Sequence, residues 1–221
     1  MNPLIKNKFL FKRIHEFNFK PETYIHPSWF DEFIPMVLNI KCQSCERTNK
    51  KIARMLIEKI GNTYDYDFIL SLKRIALLYY NELLELSEYV GLAIASKEIR
   101  QMIHKKQREK IKESFGKNKL KFVFERAQLL TQDTLHRDII PKFYERPAFM
   151  VQKIGFNCIL KQIKEYNGLI LPRFRYKYPK GTQFDLNDMP TNDGSNFASS
   201  SYLLLKIIKN EMNPLWKTIF I

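Results

Sequence analysis

Between Phe68 and Leu130 the chain sets out apolar and polar positions with the period of a helix. Ile69, Leu72, Ala76, Tyr79, Leu83, Leu86 and Val90 follow in steps of three and four, and side chains so spaced share one face of an α-helix. Ile75, Leu77, Leu78, Tyr80 and Leu84 widen that face. A stripe this broad predicts a helix surrounded on several sides in a bundle, not one half of a simple coiled coil.

The same pattern continues on both sides. Ile52, Met55, Leu56 and Ile60 predict a helix over 48–60 with Gly61 as its stop, since glycine takes the left-handed turn that closes helices. Ser96 serves as a cap for a helix edged by Ile99, Met102 and Ile103. Ile111 and Phe115 carry the pattern to Gly116, and Leu120, Val123, Phe124, Ala127 and Leu130 make a further helix. Residues 131–140 read as a short helix ended by Pro141. The turn at 144–147 then opens a longer one carrying Phe149, Met150, Ile154, Cys158, Ile159 and Ile163. A last helix over about 198–212 turns Leu203, Leu204, Ile207 and Ile208 inward.

Ser28 followed by Asp31 resembles a capping box, so a short helix is expected there, bent or stopped at Pro35. The fold class expected is all-α, a mainly helical, bundle-like single domain over residues 1–221. Two irregular segments belong to it: an N-terminal arm, 1–27, in which Phe9, Phe11, Phe17 and Phe19 alternate with polar residues, and a loop, 169–196, rich in Pro, Gly, Asn and Asp. Within that loop the alternation of basic and aromatic residues from Arg173 to Tyr178 reads as extended chain.

Composition supports a packed core: 45% of the residues are hydrophobic and 14% aromatic. Only 7 glycines argue against glycine-rich phosphate loops and a turn-dense β-sandwich. Residues 1–11 lack the apolar core of a secretory signal, no window reaches about 18 uninterrupted apolar residues, and the three cysteines are sparse. The expectation is a cytoplasmic protein without membrane insertion.

Charge changes the picture most. The formal net charge is +14, which favours an acidic partner. It concentrates between Arg100 and Lys121, where nine lysines and arginines face two glutamates. Arg100, Lys105, Lys106, Arg108, Lys110 and Lys112 are the candidate partner-binding residues, with Arg173 and Arg175 as a second, lesser group. A bland reading competes: a chain rich in Lys, Ile, Asn and Phe together carries the mark of AT-biased coding, and its lysines then only solvate helix faces. A basic helical nucleic-acid-binding protein is the functional alternative. Phe115, Phe122 and Phe124 fall at core spacing rather than interleaved as base-stacking platforms, which weakens it.

No catalytic constellation emerges. His15, His26, His104 and His136 are scattered. Cys42 and Cys45 have the spacing of half a zinc knuckle, but Cys158 is the only other cysteine and a structural zinc needs four ligands. Asp65 and Asp67 read as a solvated turn, and Ser199–Ser201 as helix capping. No catalytic, cofactor-binding or metal residue is assigned.

Several segments together resemble a known family. Residues 17–29, with Tyr24, His26, Pro27 and Trp29, resemble the N-terminal signature of the SctK (YscK-like) family of bacterial type III secretion systems. The block 75–130 is similar to that family's central region, notably Glu88 to Ala93 around Gly91 and Phe124 to Ala127. Trp216 and Phe220 match its Trp-x-x-x-Phe tail. The resemblance implies a non-enzymatic, cofactor-free, mainly helical adaptor of the cytosolic sorting platform, peripheral to the inner membrane at the injectisome. Its partners would be the cytoplasmic domain of the inner-membrane ring protein and the pod protein.

Overall fold

The structure, a computed structural model, describes residues 7–33, 45–61, 63–102, 104–131, 140–166, 170–182 and 197–220. In chain order its α-helices are α1 (Lys8–Phe19), α2 (Phe30–Phe33), α3 (Glu46–Ile60), α4 (Tyr80–Ile94), α5 (Ser96–Gln101), α6 (Lys105–Phe122), α7 (Gln128–Leu130), α8 (Ile140–Glu145), α9 (Pro147–Lys164), α10 (Ile170–Arg175), α11 (Phe197–Asn210) and α12 (Pro214–Lys217). Single 3-10 turns occupy Pro21–Thr23 and Pro27–Trp29, a longer one Leu72–Leu77, and a π-helical turn joins α6 to α7 over Val123–Ala127. Among the described residues no strand occurs, so the fold is all-α.

The chain forms two compact units. One comprises Met1–Tyr80, Ile163–Gln183 and Ile221; the other comprises Asn81–Gln162 and Phe184–Phe220.

In the first unit, residues 8–19 are helix where an irregular arm is expected. Leu10, Ile14 and Phe17, at i, i+4 and i+7, supply a buried stripe, and Asn7 caps the start by accepting from the Leu10 N–H at 3.1 Å. The alternating phenylalanines conceal this stripe: Phe11 is exposed. Ser28 is not a cap either. His26 is, its Nδ1 accepting from the Ser28 N–H at 3.2 Å. Pro35 lies outside the described residues. Arg173–Tyr178 is not extended but α10 followed by a turn.

The helix expected from Ile69 starts only at Tyr80. Ile69 and Leu70 are exposed, Leu72–Leu77 is a 3-10 segment, and Leu78 breaks it with extended backbone. Lys177, 1% exposed, holds this break: its Nζ donates to the Ala76 and Leu78 carbonyls at 2.6 Å each. A helical segment ends with carbonyls lacking intrahelical partners, and a cation there also meets the negative end of the helix dipole.

In the second unit, α4 and α9 run antiparallel with backbones nearly touching. Gly91 faces the Val151 carbonyl, and Gly155 faces that of Ser87. Leu83, Leu86 and Val90 are fully buried as the periodicity predicts, as are Leu204, Ile207 and Ile208 of α11, with Leu203 almost so. Pro141 does not end a helix; it is the second residue of α8, where its missing N–H is harmless. The serines of 199–201 sit inside α11 rather than ahead of it, and Ser201 Oγ donates to Gln162 Oε1 at 2.8 Å.

Candidate docking face

Two buried residues anchor the first half of α6, and Phe122 anchors its end. Ile111 and Phe115 are the inward pair of its first half, whereas Lys105, Lys106, Arg108, Lys110 and Lys112 are exposed. Gly116, at φ +79° with open space around it, interrupts the helix. Lys105 reaches Glu109 at 3.8 Å. Lys106, Lys110, Lys112 and Lys117 make no ion pair with a described residue. Lysines in water exert a field on an approaching partner rather than stabilise the fold.

Three other cations of the cluster, Lys119, Arg108 and Arg100, serve the interior of their own unit. Lys119 pairs with Glu88, whose other oxygen accepts from Gln152 Nε2 at 2.9 Å. Arg108, though exposed, donates from Nε to the Met102 carbonyl at 2.7 Å and so caps the C-terminus of α5. Arg100 is half-buried and clasps the Val123 carbonyl at 2.9 Å and the Phe124 carbonyl at 3.0 Å.

The second candidate group divides. Arg175 is exposed, but Arg173 is 2% exposed and drops out as a partner-binding residue. Its guanidinium donates to the Phe17 carbonyl and, at 2.6 Å, to the Thr63 carbonyl, capping α1 from within the unit. It also lies over the Phe17 ring, 5.2 Å from the centroid. Tyr24 shares the cap, its hydroxyl donating to the same Phe17 carbonyl at 3.2 Å, and burial pushes that phenol well up despite the nearby guanidinium.

The signature residues prove to be packing. Trp29 is buried, donates from Nε1 to the Tyr178 carbonyl at 2.7 Å and meets Tyr176 edge to face at 5.0 Å. The His26 N–H donates to the Tyr176 carbonyl at 2.8 Å, and Pro27 opens the 3-10 turn between them. In the other unit Gly91 allows the α4–α9 approach, and Trp216 and Phe220 are buried at 1% exposure each. Trp216 Nε1 also donates to Glu82 at 3.1 Å.

No group of three or more potential metal ligands exists among the described residues. Asp65 is a structural residue: it accepts from Lys73 Nζ at 3.1 Å, and its backbone is clasped by the Asn18 side chain. Cys45 stands exposed before α3, its thiol held below the usual range by hydrogen bonds from the Thr48 backbone and hydroxyl; Cys42 lies outside the described residues. Among the described residues no helix is long and apolar enough to cross a membrane.

The YscK family, described as YOP proteins translocation protein K, matches residues 13–213. The chain belongs to this family. It is accordingly a type III secretion protein whose partners are sought within that apparatus. No curated protein and no solved structure matches the chain. The YscK match takes in Tyr24–Trp29, Gly91 and the whole of α6, while Trp216 and Phe220 fall beyond it.

Proposed function

We propose that this YscK-family protein is a non-enzymatic adaptor of the type III secretion sorting platform, joining the cytoplasmic domain of the inner-membrane ring protein to the pod protein. The observation that carries the reading is the family match over residues 13–213. Two compact units support it, since a bridge needs two distinct surfaces on ordered bodies. The solvated cations of α6 add a field that speeds encounter and fixes orientation more than it adds affinity.

The test is co-purification of the full chain with each partner separately and with both together. The adaptor reading expects a complex with each and a ternary complex with both. Failure to bind either, with secretion intact after deletion of the gene, would overturn it. The nucleic-acid alternative expects binding that falls log-linearly with salt; the adaptor reading expects no retention of DNA or RNA at about 50 mM salt.

A further inference from the structure

The π-helical turn Val123–Ala127 shifts the register of the helix it interrupts. Val123 and Ala127 are fully buried, yet Phe124 between them is 46% exposed and Leu129 is 82% exposed. Counting back along the helix, Lys117, Lys121 and Phe124 are spaced by four and three, which puts them on one face. A π turn takes more than four residues, so that face runs on to Gln128 and Leu129 rather than ending at Ala127. The result is an exposed strip with two apolar side chains at one end and two lysines at the other.

The strip is held from behind. A π turn disturbs the i to i−4 ladder and leaves carbonyls in need of donors. Arg100 supplies them: its guanidinium takes the Val123 and Phe124 carbonyls and also reaches the Gln128 side chain. A clamp on the backbone that bears Phe124 orders the strip before any partner arrives, which lowers the entropy lost on binding. Exposed aromatic side chains such as Phe124 are also what interface cores favour.

We propose that this strip, Lys117, Lys121, Phe124 and Leu129, is a docking surface for an acidic protein segment that carries apolar residues of its own. The proposal rests on the adaptor reading for the place of that partner, within the secretion apparatus, but not for the chemistry of the contact. Charge complementarity selects the segment: Lys117 is without an ion pair among the described residues, and Lys121 has only a 3.9 Å approach to the exposed Glu125. A membrane surface fits worse. Stable interfacial binding needs an apolar face along a whole helix, and here the opposite face, with Phe122, Val123 and Ala127, is buried in the unit.

The experiment compares the full chain with a Phe124→Ser, Leu129→Ser double variant and, separately, a Lys117→Glu, Lys121→Glu pair. Each is titrated against the ring protein's cytoplasmic domain and against the pod protein, with far-UV circular dichroism as the check on folding. The expected result is a loss of tenfold or more toward one partner in both variants, with binding to the other kept and helicity unchanged. Binding of both partners within twofold of the parent would overturn the strip.

Should the parent bind neither partner, the adaptor reading fails by itself. The strip then stands on cross-linking from a photoreactive phenylalanine analogue placed at position 124 in secreting cells. An adduct mapped to an acidic, apolar-bearing protein segment supports it; no protein adduct, or capture of the chain by anionic vesicles that the double variant abolishes, overturns it.

Discussion

Gly91 stands against the carbonyl of Val151 so closely that a Cβ at position 91 would overlap it. The reciprocal contact, Gly155 against the Ser87 carbonyl, lies one helical turn away, so α4 and α9 meet backbone to backbone over that turn. Small residues are what permit such an approach. Gly91→Ala gains up to about 1 kcal/mol of helix propensity. It loses more, because the overlapping atoms are backbone and cannot rotate away; overpacking costs about 1–3 kcal/mol and sometimes more. The variant should therefore unfold at lower temperature, by about 2–4 °C per kcal/mol in a chain of this size. Gly116→Ala is the contrast: it meets no neighbour, and its penalty comes only from the backbone, φ +79° with ψ 168°, a conformation that glycine alone takes readily, so Gly116→Asn should bring no relief. Calorimetry that ranks Gly91→Ala as the milder of the two alanine variants would contradict the packing argument.

Lys177 offers a second stability test. Replacing it with Met keeps much of its volume but takes the buried donor from the Ala76 and Leu78 carbonyls. A buried carbonyl left without a donor costs about 1–3 kcal/mol, offset in part because a buried ammonium no longer needs desolvation. A net loss is expected, with Lys177→Gln intermediate because its amide can still donate. Urea midpoints in the order parent, Gln, Met carry the prediction, and a Met variant as stable as the parent would refute it.

These two residues mark what the sequence makes legible and what it hides. Helix period alone places Leu83, Leu86 and Val90 in a core, and all three are buried. Glycines at 61 and 116 announce stops, and both have positive φ. What stays hidden depends on distant partners. Nothing near Lys177 or Arg173 in the chain says that they cap segments 101 and 156 positions away, so an alternation of basic and aromatic residues passes for a surface run. Phe124 hides for a different reason: helix period groups it with Leu120 and Ala127 as readily as with Lys117 and Lys121, and the π turn over 123–127 parts it from buried Ala127. At the candidate docking face the exposed lysines of α6 are readable as a solvated charge cluster, but which cations cap carbonyls instead is not.

Alkaline pH probes the buried phenols. Burial pushes Tyr24, Tyr89, Tyr166 and Tyr178 above the usual value. Tyr79 is pushed up to about 12 by burial and then by its 2.6 Å hydrogen bond to Glu16. A group whose folded pKa exceeds its unfolded one binds more protons in the native state between the two. Its stabilisation is therefore complete below about pH 10 and is lost as pH rises through the folded value. Urea midpoints should hold on the neutral side of pH 10 and then fall, with tyrosinate absorbance at these sites appearing together with unfolding. Tyr79→Phe should flatten the fall. A midpoint that stays level between pH 9 and pH 12 would show that these phenols ionise in the folded protein.

The last prediction concerns the open lysines of α6. Lys106, Lys110 and Lys112 are exposed and hold no ion pair with a described residue, unlike Arg108 with its bond to the Met102 carbonyl. Reversing these three to glutamate should leave helicity and thermal stability nearly unchanged, because solvated charges contribute little to folding. Association with an acidic partner should slow, by tenfold or more at low salt, and the difference should shrink as salt screens the field over about 10 Å at 0.1 M. Dissociation should change far less, since steering acts on encounter rather than on the formed contact. Stopped-flow association of parent and triple variant with each platform partner across a salt series separates the cases. Identical association rates at the lowest salt would return these lysines to the bland reading, charge that only solvates a helix.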